Sequence, residues 1–444
     1  MIRIADIQNA LLPLVGWHQD FSPKDAIDDS LTQSESGLYY QDAHPLMTLK
    51  NVRSIMPDNF LLQYSPWNMI TQYKKGNKVI HKGYVFIAKK DNVNVEPPAS
   101  DFNGDYSLDF GGEYWRTYNP VTDYVEMQTK SGIAQTVQTF LQMKNLLRET
   151  KNLLERRTFF DGAGRLENLQ PLQGKLVGFE ISPVRSMGVT TKIERIGLQM
   201  MGATGTVRMY LFHSSQVDPI KVQDLEFTKE NGGFQWFDMK DWYLPYISEA
   251  NNSGGSWYLV YNQNDLPDGM MAVNATKDWS REPCMTCNPG SVAAWRELTK
   301  YILIAPFKVS ALETFNEYPE LWDIQDNIYT NTANYGLNVE VSVGCDLTDF
   351  IISQRAIFAT ALQRQVAVNL LRTMAMNPEV RTNRNQSNVS QQGILYEIDG
   401  NPQGREGGLG YELRKAYEAL DLDTRGVDRI CLTCRPIGVR YRTV

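Results

Sequence analysis

The chain has 444 residues, of which 42% are hydrophobic and 21% charged, and its formal net charge is −7 at pH 7. This length exceeds what one ordinary domain needs, so we expect several folded units. The acidic balance argues against a protein that wraps nucleic acid, because tight binding to phosphates requires clustered Lys and Arg. No apolar run reaches the roughly 18–20 residues that cross a bilayer, so we expect no membrane partner.

The first section, 1–63, is predicted to be a short helix followed by an extended arm. Apolar residues recur at helical spacing in 4–15, whereas 20–36 is rich in Asp and Ser and has little to bury. We expect this arm to become ordered against a neighbouring protein. The first residues lack the apolar core of a signal peptide, so we expect the chain to stay in the cytoplasm in which it is made.

The second section, 64–125, has the pattern of a small β-module, in which short apolar runs alternate with turn signals. The pattern comprises Trp67, Tyr73, Gly76, Val79, Gly83, Tyr84, Phe86, Ala88, Pro97, Pro98 and Trp115. It resembles the small β carbohydrate-binding modules of chitinases, which are also common in phage tail proteins. The resemblance implies that Trp67, Tyr73 and Trp115 stack on sugar rings. The alternative is that these three side chains fill the core of the module.

The third section, 126–165, is predicted to form one long helix over 129–158. Its apolar residues fall on one stripe, and its charged residues lie elsewhere. About 30 residues at 1.5 Å each give roughly 45 Å, which is longer than a typical domain is wide. We therefore expect this helix to pack against another subunit. The residues expected at that contact are Ile133, Phe140, Met143, Leu147 and Leu154.

The rest of the sequence predicts a β-sandwich at 166–312 and a mixed α/β section at 313–444. Alternating apolar residues between Gly, Asn and Asp turns are typical of the antiparallel sheets of a sandwich. In the last section a strand at 337–343 precedes a helix at 347–376, which we also expect to contact a neighbour, and a polar run at 381–388 predicts an exposed loop. The predicted fold class is α+β, β-rich and multidomain.

Motifs of known catalytic chemistry are absent from the sequence. It contains no Gly-x-Ser-x-Gly elbow, no His-Glu-x-x-His pair and no Gly-x-x-x-x-Gly-Lys phosphate loop. The four His residues lie in different segments, and we expect His213 to bond to a turn rather than to act in catalysis. Acidic pairs such as Asp421 and Asp423 arise by chance among 51 acidic residues. We therefore predict that the protein is not an enzyme.

Four of the five Cys residues form two Cys-x-x-Cys pairs, Cys284 with Cys287 and Cys431 with Cys434. Each pair has the spacing of a zinc knuckle, and two knuckles complete one tetrahedral site. The pairs lie much further apart than the roughly 15–20 residues of a compact zinc ribbon. Three interpretations therefore stay open: a zinc site, small buried residues and redox chemistry. Because cytosolic proteins rarely form disulfides, Cys345 is expected to be an ordinary core residue.

Four stretches of the chain carry a second resemblance. They are IADIQNALLPLVGW at 4–17, LYYQDAHPL at 38–46, YLFHSS at 210–215 and CDLTDF at 345–350. Together they resemble virion proteins of crAss-like Bacteroides phages, in particular the ring proteins that stack to form the tail barrel. The resemblance implies a homo-oligomeric ring of twelvefold symmetry in the tail or neck of the virion. Its partners would be copies of itself and neighbouring portal, ring or tail proteins.

The predicted function is therefore that of a bacteriophage structural protein around a DNA channel. An acidic channel wall would let DNA pass without specific binding. No cofactor is required for this role, although zinc is compatible with it. A glycan-binding tail adhesin is the first alternative, which explains the small module but not the long helix. A cell-wall hydrolase is the second alternative, and it would need a catalytic site that the sequence does not show.

Overall fold

The structure, a computed structural model, describes residues 2–19, 26–98, 106, 112–144, 146, 152–159, 168–170, 176–185, 187–247, 254–274, 289–309, 327–330, 333–377, 384–400 and 407–431. The predicted α+β class is confirmed, with about a third of the structure in helices and a third in strands. The chain forms two compact units, and each combines separate parts of the sequence. The unit that we call the sandwich unit consists of 1–2, 146–350 and 424–444. The unit that we call the helical unit consists of 3–145 and 351–423.

The helical unit begins with two short helices, α1 (Ile4–Leu11) and α2 (Leu49–Ser54). The extended arm predicted over 20–36 is wrong for its described part, which folds onto the chain itself. The backbone amide of Trp17 donates to the Leu31 carbonyl at 2.9 Å. A Cβ at Gly16 would lie 2.8 Å from the Gln33 carbonyl oxygen, so glycine is needed for this close approach. Glu35 and Ser36 likewise donate their backbone amides to the carbonyls of Pro13 and Leu14, so the described part of this segment is held by its own chain.

The described part of the small β-module contains six short strands. They are β1 (Ser65–Pro66), β2 (Gln72–Tyr73), β3 (Lys78–His81), β4 (Tyr84–Ala88), β5 (Asn92–Val93) and β6 (Trp115–Thr117). Strands β1, β3, β4 and β6 form one sheet in that order, and β2 pairs with β5 separately. The β3–β4 hairpin turns at Lys82 and Gly83, whose φ angles of 48° and 84° are the positive values that a two-residue hairpin loop needs.

Helix α3 (Pro120–Lys144) has 25 residues and lies earlier in the chain than the predicted 129–158. Its start follows from two residues that the prediction did not use. Pro120 fits the first turn, where its missing N–H has no partner to lose. The Asn119 side chain accepts the Val121 amide at 3.1 Å and so caps the helix. The predicted end is wrong because 152–158 forms a strand.

Two six-stranded sheets form the sandwich unit. Its elements are β7 (Asn152–Thr158), β8 (Asn168–Gln170), β9 (Leu176–Pro183), β10 (Val189–Met201), β11 (Gly205–His213), β12 (Lys221–Phe227), β13 (Phe234–Leu244), β14 (Trp257–Asn262), β15 (Met271–Asn274), α4 (Pro289–Leu298), β16 (Ile302–Val309), β17 (Asn327–Tyr329) and β18 (Leu337–Cys345). One sheet has the order β7-β18-β10-β15-β8, with β13 also paired to β10, and the other has the order β12-β11-β14-β9-β16-β17.

The sandwich extends beyond the predicted 166–312 on both sides. The strand predicted at 337–343 is confirmed as β18, but it pairs with β10 in the middle of the first sheet instead of belonging to a separate section. Its alternating Leu and Val side chains enter the core between the sheets. That core includes Phe179, Ile193, Leu211, Leu259 and Val341. Pairing between distant segments thus completes the apolar interior.

Four helices follow β18: α5 (Thr348–Ser353), α6 (Ala359–Met376), α7 (Arg384–Asp399) and α8 (Leu409–Ala419). Helices α5 and α6 correspond to the predicted helix at 347–376, with a break after α5. The loop predicted at 381–388 is wrong from Arg384 onward, because α7 packs against α6 and α8 despite its many Asn, Ser and Gln residues. None of the described helices is long and apolar enough to cross a membrane.

Candidate assembly surface

Three of the five residues expected at subunit contacts are buried in the chain itself. Ile133 and Phe140 are buried on α3, and Phe140 meets Phe358, just before α6, edge to face with 5.2 Å between ring centroids. Leu154 lies on a strand, β7, and belongs to the sandwich core. Buried side chains of this kind stabilise their own unit and have no surface for a neighbour, so the predicted role is wrong for these three. Met143 is exposed, and Leu147 lies outside the described residues.

Two of the three aromatic residues expected to stack on sugars belong to the core of the β-module. Tyr73 and Trp115 are buried and meet edge to face, with 5.3 Å between ring centroids. Trp115 Nε1 donates to the Val95 carbonyl at 2.9 Å, and the Tyr73 hydroxyl accepts the Asn68 amide at 2.6 Å. A buried ring offers no face to a sugar, so the stacking role is wrong for both. Of the three, Trp67 keeps partial exposure.

Of the four Cys residues of the predicted zinc site, Cys284, Cys287 and Cys434 lie outside the described residues. Cys431 forms a disulfide with Cys345, which sequence reasoning took for an ordinary core residue. A sulfur atom in a disulfide is not a thiolate and cannot ligate zinc. A four-cysteine site therefore requires this bond to be broken.

A group of apolar side chains is exposed on the small β-module. We call this group the apolar edge: Met69, Ile70 and Val93 lie on the module itself, and Leu62 lies just before its first strand. Leu62 and Ile70 are each 82% exposed, Met69 is 58% exposed and Val93 is 55% exposed. Single exposed apolar side chains are normal on proteins. Several in one short segment of chain indicate a surface that another molecule covers.

A tight turn holds two of these side chains outward. The Asn68 side-chain oxygen accepts the Ile70 amide at 3.0 Å, and the Asn68 carbonyl accepts the Thr71 amide at 3.2 Å. This turn leaves Met69 and Ile70 at its tip. Strand β2 follows directly, and its partner β5 carries Val93. The geometry of the turn and its ladder therefore keeps the apolar edge in place.

Apolar doublets are the sequence signal that could have found this surface. In the doublet of Leu61 and Leu62, Leu61 packs against the module and Leu62 points to solvent. In the doublet of Met69 and Ile70, both side chains are exposed. Neighbouring residues in a short turn or strand rarely both reach the same core, because their side chains point in different directions. A doublet beside a turn therefore predicts at least one exposed apolar residue.

One carboxylate anchors the module to the start of α3. Asp123 accepts bonds from the Tyr64 hydroxyl at 2.7 Å, from Lys78 Nζ at 2.7 Å and from the Tyr118 hydroxyl. Burial, and then the bond to Asp123, raises the pKa of Tyr64 and of Tyr118, so both hydroxyls stay protonated donors. An anchored module presents its surface with little loss of conformational entropy on binding.

Charge and strand geometry define how a neighbour can approach this module. The segment 64–118 contains seven Lys and Arg against six Asp and Glu, so it does not share the acidic balance of the whole chain. A neighbouring surface of either charge is therefore repelled little. The edge strand β1 has two residues, and Pro66 has no N–H to donate. Long strand addition at β1 is therefore disfavoured, and contacts at this edge must use side chains.

The described residues contain no group of three or more His, Cys, Asp or Glu that could hold a metal ion. Their most distinctive surface is thus the apolar edge, presented on a module that is fixed to α3. Comparisons of the chain with protein-family models, with curated proteins and with solved structures found no match.

Proposed function

We propose that the protein is a non-enzymatic structural subunit of a bacteriophage virion that assembles into a ring in the tail or neck. The observation that carries this proposal is the apolar edge, in which Leu62 and Ile70 are each 82% exposed. Burial of one Leu or Ile side chain contributes about 1.5–3 kcal/mol. A contact that covers the edge would therefore contribute several such increments to assembly.

The proposed contact differs from the helix-to-helix contact expected from the sequence. Helices α3 and α6 pack against each other, so the apolar sides on which that expectation depended are occupied. We assign the contact between subunits to the apolar edge instead, because it is exposed and its module is fixed to α3 through Asp123. In a closed ring, the edge of one copy meets a different surface of the next copy. This arrangement also leaves each copy free to contact portal, ring or tail proteins above and below it.

The acidic charge supports a ring through which DNA passes. A net charge of −7 disfavours binding to the phosphate backbone. A wall that attracted DNA would slow its passage, whereas a repelling wall lets it slide. We propose twelvefold symmetry, which follows that of a portal, and synthesis in the cytoplasm of the bacterial host before assembly into the virion.

Native mass spectrometry and negative-stain microscopy of the purified chain test the proposal. We expect closed rings of one stoichiometry at about 100 μM, where an interface with micromolar affinity is largely occupied. The double variant Leu62→Ser, Ile70→Ser should shift the protein to the monomer. The variant Leu303→Ser, which removes an exposed apolar side chain of the sandwich unit, is the matched control and should keep the rings. A wild-type chain that stays monomeric at this concentration would contradict the proposal.

A further inference from the structure

A cavity of about 420 Å³ lies in the helical unit, and the function proposed above does not use it. Its wall includes residues of the N-terminal segment, among them Gln19, Asp28 and Asp29. The rest of the described wall comes from Tyr106 and from the stretch that runs from β6 to the start of α3, which includes Arg116 and Thr122. Its volume lies within the roughly 300–1,000 Å³ of small-molecule sites.

Several wall residues are fixed by hydrogen bonds. The Gln19 side chain donates to the Ile27 carbonyl at 2.7 Å and accepts the Ile27 amide at 3.2 Å. Thr122 Oγ1 accepts the Asp28 amide at 3.3 Å, and the Tyr118 hydroxyl donates to Asp123. These bonds hold the wall in shape before a ligand arrives, which reduces the entropic cost of binding.

The charged groups of the wall keep unused bonding capacity. Bonding to Ser30, and to a smaller extent the charge of Arg116, keeps the pKa of Asp28 below its usual value, so this carboxylate is ionised. Among the described residues, no nitrogen–oxygen contact of 4.0 Å or less pairs Arg116 with Asp28, and the side chain of Asp29 has no hydrogen bond or ion pair. A guanidinium and two carboxylates of the described wall thus line one cavity without forming a direct ion pair with one another.

This arrangement selects a class of ligand by its charge distribution. An apolar molecule would desolvate three charged groups and form no hydrogen bonds with them, which is unfavourable. A simple anion is repelled by the two carboxylates, and a simple cation is repelled by the guanidinium. A molecule with both charges gains charge-assisted hydrogen bonds at each end, and these are roughly twice as strong as neutral ones.

We propose that this cavity binds a free α-amino acid, whose carboxylate bonds to Arg116 and whose ammonium bonds to Asp28 and Asp29. A planar guanidinium matches a carboxylate with two parallel bonds. Two carboxylates against one guanidinium leave one negative charge in the cavity. A basic side chain on the ligand compensates this charge, so arginine and lysine are the preferred amino acids.

Isothermal titration calorimetry of the full chain tests this site with four probes: L-arginine, glycine, glucose and sodium sulfate. We expect the tightest binding for L-arginine, weaker binding for glycine and none for glucose or sulfate. Arg116→Gln and Asp29→Asn should each weaken L-arginine binding by about 10–100-fold, because each removes a charged hydrogen bond. Both side chains are exposed, so both variants should fold, which circular dichroism checks.

The matched control is Arg208→Gln, which makes the same charge change at an exposed ion pair in the sandwich unit. This variant should bind L-arginine as the wild type does. Failure of L-arginine to bind at about 10 mM would overturn the proposal, since even millimolar affinity would then be detected. Binding of glucose or sulfate in preference to L-arginine would overturn it too. So would L-arginine affinity that is unchanged in both cavity variants.

Discussion

Gly132 permits the close packing of α3 against α6, and its replacement by Ala should destabilise this contact. A Cβ built at Gly132 would lie 2.4 Å from Val366 Cγ2. In an exposed helix the same change stabilises by about 1 kcal/mol, because Ala has the higher helix propensity. Here Val366 is buried and β-branched, so it has few alternative rotamers. Overpacking costs about 1–3 kcal/mol, so we expect a net loss of about 1 kcal/mol.

Hydrogen–deuterium exchange of the peptides that contain α3 and α6 measures this effect within the helical unit. Gly132→Ala should speed exchange in both helices. Val366→Ala alone also destabilises, but the double variant should be more stable than the sum of the two changes predicts, because the new methyl group fills the space of the lost ones. Gly393→Ala in α7 is the control: no atom lies within 4 Å of its added Cβ, so it should stabilise. Slower exchange in Gly132→Ala would refute the steric argument.

Three further predictions concern the sandwich unit. Burial raises the pKa of Glu340, but its bonds to Arg195 and Arg156 together outweigh this and lower the pKa overall. Glu340→Gln should therefore reduce the free energy of unfolding by about 1–3 kcal/mol at pH 7 in urea titrations, and the difference from wild type should shrink as pH falls below the carboxyl's usual value of 4.5. Cys345→Ala should reduce this free energy by about 2–4 kcal/mol, and dithiothreitol should lower the wild type to the same level without affecting the variant. Burial lowers the pKa of His213, whose neutral ring accepts the Ser215 amide at 3.2 Å. The protection of β11 amides, measured relative to the intrinsic exchange rate at each pH, should therefore fall as pH drops below about 6.5, where unfolded His gains a proton, and protection that does not change with pH would contradict this.

Sequence patterns predicted correctly those elements that depend on interactions between residues close together in the chain. The turn at Lys82 and Gly83 requires positive φ angles, which glycine adopts readily, and the alternating apolar residues of β18 define a strand without knowledge of its partner. Helix α6 ends before Pro378, as the proline predicts. In each case the decisive interaction lies within a few residues.

Elements that depend on distant partners could not be predicted in this way. The apolar stripe that suggested a helix over 129–158 includes Leu154, but this residue lies on β7 because β18 provides a strand to pair with. The predicted subunit contacts of Ile133, Phe140 and Leu154 are wrong for a related reason, since periodicity shows that one side of a helix is apolar but not which molecule covers it. The exposure of Met69 and Ile70 could not be predicted from their hydrophobicity, because it depends on a turn held by the Asn68 side chain.

The disulfide between Cys345 and Cys431 closes a covalent ring that contains helices α5 to α8. A protease that cuts one peptide bond inside this ring produces no free fragment, because the two pieces remain joined through sulfur. Such a nicked chain keeps its mass in denaturing electrophoresis without reductant and separates into two bands only after reduction. Damage to the chain between these two cysteines therefore opens the ring but does not divide the molecule.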